Sequence, residues 1–187
     1  QVTYLVFNPY WNIPDRIVVD DLLPILQENP DYLAQKNIEV FQVEKENWER
    51  VNPQEINWSQ VTVDNFNYQF RQKPGAKNAL GQVKFIFPNR YNVYLHDTPA
   101  EKLFKRSYRA CSSGCVRVSR PMELACYLLQ DNQNWTSGEV SEAVKQGERV
   151  RVKFKEPIPI YLVYLTAWIN EDGTLHFRND IYNRDQG

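Results

Sequence analysis

The sequence has no excess of charge of either sign: 22 basic residues face 23 acidic ones, intermixed along the chain, for a formal net charge of −1. That balance excludes the basic field of a nucleic-acid-binding domain and the polybasic run of a membrane-surface protein. Nor does any apolar run approach the roughly 18 to 20 residues that a spanning helix requires. Histidine is nearly missing, with two residues, and the three cysteines (Cys111, Cys115 and Cys126) form no C-x-x-C pair. The usual zinc spacings are therefore excluded, and neither a metal nor another cofactor is expected. There is no internal repeat and no low-complexity segment. An initiating Met and a charged-then-apolar leader are also missing, and the chain opens on Val2-Thr3-Tyr4-Leu5-Val6-Phe7, a strand already under way. The expectation is a fragment of a longer protein, so the missing signal says little about location.

What is present fits one domain of 187 residues, or one domain carrying an insertion. After the first strand comes the corner Asn8-Pro9-Tyr10-Trp11-Asn12-Ile13-Pro14, and then a short helix expected over Asp20 to Gln27, with Pro24 in its first turn. Residues 13–67 are read as an inserted subdomain, because structureless loops of that length are uncommon in compact domains. Within it Ile38 to Val43 alternates as a strand should. Residues 1–12 and 68–187 form the main domain. Strands are expected at Tyr68 to Gln72, Val83 to Phe87, Tyr91 to Leu95 (ending on His96), Val116 to Val118, Arg151 to Phe154 and Pro159 to Ile169. A hairpin at Asp172-Gly173 follows. One helix is expected after Ser119 as its N-cap, and another from Ser137 to Gln146, stopped by Gly147. The class is β-rich α+β.

The chemistry concentrates in Ser112-Ser113-Gly114-Cys115-Val116-Arg117-Val118, which follows His96 by a short excursion. A nucleophilic thiol needs a neighbouring base or cation that favours thiolate, and His96 at a strand end is the candidate base. Three small residues before Cys115 let the backbone approach a substrate and present consecutive N–H groups to an oxyanion. A disulfide between Cys111 and Cys115 would consume that nucleophile, and four residues of separation make its geometry demanding. Cys126 reads as a small buried hydrophobe on its helix. His176, in a hairpin without a reactive neighbour, reads as structural. A papain-like peptidase would place Cys at a helix N-terminus with His far downstream, which is not the order here.

These residues resemble the YkuD-type L,D-transpeptidase catalytic domain, in which a histidine is followed after a variable loop by small residues, Gly-Cys, an apolar residue and Arg. The likeness extends through Pro74-Gly75, Asn78-Ala79-Leu80-Gly81, the strand from Val83 to Phe87 and the helix after Pro121. It is nearest to the larger YcbB-like members of Gram-negative bacteria, which carry an insertion after an Asn-Pro-aromatic-Trp-Asn segment. The resemblance implies a β-sandwich core with a few helices and an inserted capping subdomain. It also implies a periplasmic enzyme acting on peptidoglycan tetrapeptide stems, forming 3→3 crosslinks through a Cys115 thioester and open to acylation by carbapenems. With water as acceptor it would be a carboxypeptidase. A wall-binding module without turnover is the rival reading. Many members carry His where this chain has Ser113.

Further roles follow from the same resemblance. Backbone N–H groups of Gly114 and Cys115, with Ser113, are the oxyanion candidates. The Asp97 carbonyl would orient His96; alternatively, the Asp97 carboxylate simply closes a turn with Thr98. Arg117 would hold the active-site loop or meet a stem carboxylate, against a plain structural ion pair. Tyr94, on the face of His96 by strand alternation, would line the donor groove, and Trp11 a wall of it, with core packing the alternative for both.

Overall fold

The computed structural model of the chain describes residues 1–45, 47–132 and 134–185. It has two hydrophobic cores, each built on its own sheet. The first sheet comprises β1 (Val2–Phe7), β6 (Val83–Ile86), β7 (Leu95–His96), β8 (Val116–Arg117) and β9 (Val150–Ile158), in the order β8-β7-β6-β1-β9. All its pairings are antiparallel except β7 with β8. Strand alternation sends Leu5, Phe7, Val83, Phe85, Val152 and Phe154 to one face, where all are buried. The layer covering that face is helical. α4 (Pro121–Leu129) contributes Ala125 and Leu129, and α5 (Ser137–Gln146) contributes Val140 and Ala143. α5 is well delimited, since Thr136 and Glu139 form a capping box and Gly147 closes it at φ 74°.

The second core lies between β1 and β6 in sequence. Its sheet has the order β2-β5-β3-β4, from β2 (Trp11–Ile13), β3 (Ile38–Glu44), β4 (Asn47–Val51) and β5 (Tyr68–Gln72). Against it packs the helical stretch that starts at α1 (Asp15–Ile17), through Val18 and Leu22 of the π-turn that follows, Leu26 of α2 (Leu23–Glu28) and Leu33 of α3 (Tyr32–Gln35). Trp58 is buried there, its indole N–H donating to the Pro53 carbonyl at 3.0 Å. β2 and β5 pair from Trp11↔Gln72 to Ile13↔Phe70, so the sheet of this core spans Trp11 to Gln72.

Two buried asparagines hold the crossing points between the cores. Asn8, at φ 46°, donates to the carbonyls of Ala143 and Glu148 at 2.8 and 3.0 Å. Asn78 donates to the carbonyls of Pro9 and Lys73, both at 2.9 Å, and accepts from the Leu80 N–H. On the second sheet Glu39, its side chain 9% exposed, is met by Arg50, Arg71 and Lys73 at 3.2, 3.2 and 3.4 Å. The Arg71 guanidinium also lies over the rings of Phe41 and Tyr10. Removing this shared carboxylate leaves three like charges close together, although Arg50 and Lys73 are 65% and 46% exposed and so screened by water. Glu39→Ala is expected to cost about 1–2 kcal/mol in urea unfolding, more than Ala at any one of the three partners.

The β-rich α+β class is the one the sequence implies, but several elements differ. The first helical segment begins at Asp15, after Pro14, and passes through a π-turn over Val18–Leu22 before α2. The wider turn fits the ring of Pro24, which has no N–H to give a regular α-helical bond. The strand expected from Tyr91 shrinks to Leu95–His96, because Asn92 takes φ 53°. Arg120, not Ser119, precedes α4, since Pro121 occupies its first position. The strand expected over Pro159 to Ile169 survives only as β10 (Ala167–Ile169), paired with β11 (Leu175–Phe177). β9 loses its partner where Val2 meets Ile158, and Pro157 and Pro159 have no N–H for a ladder. Among the described residues no helix is long and apolar enough to cross a membrane.

Candidate active site

The site is built where β7 ends. His96 stands opposite Lys84 of β6 and opposite Arg117 of β8, so the three share the sheet face away from the helices. The imidazole is buried, at 4% exposure. Its Nδ1 contacts the carbonyl oxygen of Asp97, a bond that requires the proton on Nδ1 and leaves Nε2 as the basic nitrogen. Burial pushes the imidazole below the ordinary histidine range; Arg117 and Lys84 push the same way, and the Asp97 carbonyl opposes them.

Asp97 is itself fixed from several sides. Its N–H donates to the Val83 carbonyl at 2.9 Å, and its carboxylate accepts from the N–H groups of Gln82 and Thr98 at 2.8 and 2.6 Å. Both readings of Asp97 thus coexist: the carboxylate closes the turn with Thr98 while the carbonyl meets His96. Gly81, at φ 59°, lies against that carboxylate, and a Cβ there would come within 2.6 Å of the Asp97 Cβ. Gly81, which carries no reactive group, leaves the room that the Asp97 side chain occupies.

Cys115 immediately precedes β8. The N–H of Val116 donates to the Tyr94 carbonyl and that of Val118 to the His96 carbonyl, at 3.1 and 2.9 Å, which sets Cys115 beside the segment carrying Tyr94 and His96. The thiol is half-buried and free, as are Cys111 and Cys126. Tyr94 lies next to it and Trp11 next to Tyr94, though among the described residues no hydrogen bond joins the Tyr94 hydroxyl to the thiol or to the indole. Burial and the adjacent Cys115 push the Tyr94 phenol well above its ordinary range. The Tyr94 ring stands edge-on to His96, with centroids 6.0 Å apart. Trp11, Tyr94, Cys115 and His96 are therefore brought together, although among the described residues no hydrogen bond joins the thiol to the imidazole.

The turn before Cys115 is shaped by its small residues. Gly114 adopts φ 129°, and a Cβ there would meet Val93 Cγ1 at 3.1 Å. Ser112 Oγ donates to the Cys115 carbonyl at 2.7 Å and accepts the Gly114 N–H at 3.3 Å. The Ser113 and Cys115 N–H groups have no hydrogen-bond partner among the described residues, so two of the three oxyanion candidates stand open and that of Gly114 is engaged. Arg117 Nη1 donates to the Cys111 carbonyl at 2.9 Å, and its Nε is buried without a partner. No carboxylate pairs with it in the described residues, so its contact is with the loop. His176 lies apart, stacked on Trp168 with its Nε2 at Asn170. A cleft of about 240 Å³ beyond Asp97, lined by Phe104, Val118 and Met122 among others, includes neither Cys115 nor His96. No group of three or more His, Cys, Asp or Glu among the described residues is placed to hold a metal.

A thiol, a neutral imidazole with a free basic nitrogen, and unpaired backbone N–H groups are the components of acyl transfer through a thioester. Comparison with known proteins agrees with that class. Residues 1–152 match the YkuD family, the L,D-transpeptidase catalytic domain, and the chain belongs to it. It is also 36% identical, over all 187 residues, to a Haemophilus influenzae protein named "Putative L,D-transpeptidase". The chain spans 37% of that relative's length.

Proposed function

We propose that this domain is a YcbB-like peptidoglycan L,D-transpeptidase working in the periplasm, with Cys115 as nucleophile and His96 as its proton carrier. Nε2 of His96 takes the proton of the Cys115 thiol, and the resulting thiolate attacks the carbonyl of the third residue of a tetrapeptide stem. Charge develops on that oxygen beside the open N–H groups of Ser113 and Cys115, with Gly114 joining once Ser112 releases it. Protonated Nε2 of His96 gives its proton to the leaving amine, the C–N bond breaks, and terminal D-Ala departs, leaving a thioester. An amine of a second stem then attacks the thioester, yields its proton to Nε2 and expels the thiolate, forming a 3→3 crosslink. Water in place of the amine gives a carboxypeptidase on the same stems.

The observation that carries this reading is the junction of β7 and β8, which sets the Cys115 turn beside a histidine whose Nδ1 is already bound by the Asp97 carbonyl. Residues 13–67 act in this proposal as a capping subdomain. The strand at Trp11 that opens it also carries Trp11 to the neighbourhood of Tyr94, where the cap would supply one wall of the groove. The test is intact-protein mass after exposure to a carbapenem, together with D-Ala release from tetrapeptide stems. A single adduct on the parent, absent from Cys115→Ala, is expected, along with D-Ala release that the variant loses. A parent with neither adduct nor release would be a wall-binding module without turnover. D-Ala release without dimeric stems would assign the carboxypeptidase reaction.

A further inference from the structure

Lys84 has no part in the proposed chemistry, yet it lies in the middle of the site. It stands directly across from His96 in the β6–β7 register, on the same sheet face. Its Nζ lies over the Tyr94 ring, 5.2 Å from the centroid, and the Cys115 turn is held against that same tyrosine, whose carbonyl accepts from the Val116 N–H at 3.1 Å. Strand alternation explains its direction: Val83 and Phe85 point into the helix-covered core, which forces Lys84 to the other side. The Lys84 ammonium takes part in no ion pair and no hydrogen bond among the described residues. A half-buried ammonium without a carboxylate, in the same site as a reactive thiol, lacks a negative partner until that thiol ionises.

We propose that Lys84 is a positioning residue that supplies the counter-charge of the Cys115 thiolate, held in place by the ring of Tyr94. This rests on the reading of Cys115 as nucleophile. His96 is poorly suited to that task, because its burial between Lys84 and Arg117 disfavours an imidazolium in the resting state. Arg117 is turned to the Cys111 carbonyl. The charged and titratable groups around Lys84 are His96 and Asp97 at the end of β7, Tyr94 before it, Arg117 of β8, Cys115, and Arg149 ahead of β9. Of these only the thiolate, the phenolate and the Asp97 carboxylate could be anions. Burial keeps Tyr94 neutral, and the Asp97 carboxylate is occupied by Gln82 and Thr98. Burial and Arg149 weaken the hold of Lys84 on its proton, whereas ionised Cys115 strengthens it. That attraction is mutual, so the same interaction that keeps Lys84 protonated favours the thiolate. This division leaves His96 uncharged and free to accept the protons of the catalytic cycle.

The experiment is the pH profile of Cys115 alkylation by iodoacetamide, followed by intact mass in a Cys111→Ser background. Cys115→Ala gives the contribution of Cys126. Lys84→Met is expected to slow alkylation on the order of tenfold at about pH 7 and to displace the profile to higher pH. Lys84→Arg, which keeps the charge, should stay near the parent. A Lys84→Met profile that overlays the parent, or a folded Lys84→Arg that behaves like Lys84→Met, overturns the proposal. If Lys84→Met does not fold, Lys84→Gln is read by the same two criteria. The readout needs no turnover. A parent without carbapenem adduct would sink the transpeptidase reading while leaving the alkylation profiles to decide the role of Lys84.

Discussion

Replacing His96 with alanine is expected to lower the rate of carbapenem acylation at Cys115 by about 10²- to 10⁴-fold, the usual range for a positioned general acid–base. Cys115 and the turn before it are held by bonds that do not involve the imidazole: Val116 N–H to Tyr94, Ser112 Oγ to the Cys115 carbonyl, and Arg117 to Cys111. The loss should therefore fall on the rate of adduct formation while the final mass of the adduct stays the same. A fall in melting temperature large enough to unfold the variant would instead make His96 a structural residue.

The charge state of the same imidazole can be followed directly, because the chain has only two histidines and His176→Gln assigns their resonances. Burial, reinforced by Arg117 and Lys84, holds His96 below the ordinary midpoint near 6.5, so it is expected to titrate on the acid side of that value. For stability the sign is fixed by proton binding. Below the ordinary midpoint the unfolded chain takes up a proton that the folded chain resists, so folding loses free energy as pH falls from there through the depressed midpoint. Above the ordinary midpoint His96 contributes no pH dependence.

Local sequence made much of this site legible, and the missing parts are those set by pairing across the sheet. The small-residue turn and the strand-end histidine are local patterns, and the helix from Ser137 to Gln146 is announced by its own caps. Lys84 is different. Its alternation with Val83 and Phe85 is visible, but that it faces His96 depends on a register of two residue pairs between β6 and β7. Gly81 and Asp97 are 16 positions apart, and nothing in either stretch says that one packs on the other. The tail misled for a physical reason: Tyr161, Leu162, Val163 and Leu165 have strand-like composition, yet all are exposed, because the pairing of β9 with β1 ends at Val2↔Ile158 and they join no ladder.

The second large effect is expected at Gly81, a residue with no reactive group. Two costs coincide there. The backbone sits at φ 59°, where an alanine is disfavoured by about 1–2 kcal/mol, and the added Cβ would occupy the space of the Asp97 side chain. That side chain has little room to yield, since Gln82, Thr98 and the Asp97 N–H itself tie it to three places. Either the carboxylate leaves its two N–H donors unpaired, or the whole residue moves and takes its carbonyl from His96 Nδ1. In both cases the tautomer and orientation of His96 are no longer fixed. Gly81→Ala is thus expected to lose about 2–4 kcal/mol of stability and, in whatever fraction folds, to acylate at least about tenfold more slowly. Iodoacetamide alkylation of Cys115 separates the two costs, because the Lys84–Tyr94–Cys115 arrangement does not pass through Asp97. Alkylation near the parent rate with slow acylation would place the damage at His96. Parent-like acylation in a folded Gly81→Ala protein would mean that the Asp97 carbonyl is not what holds the imidazole for catalysis.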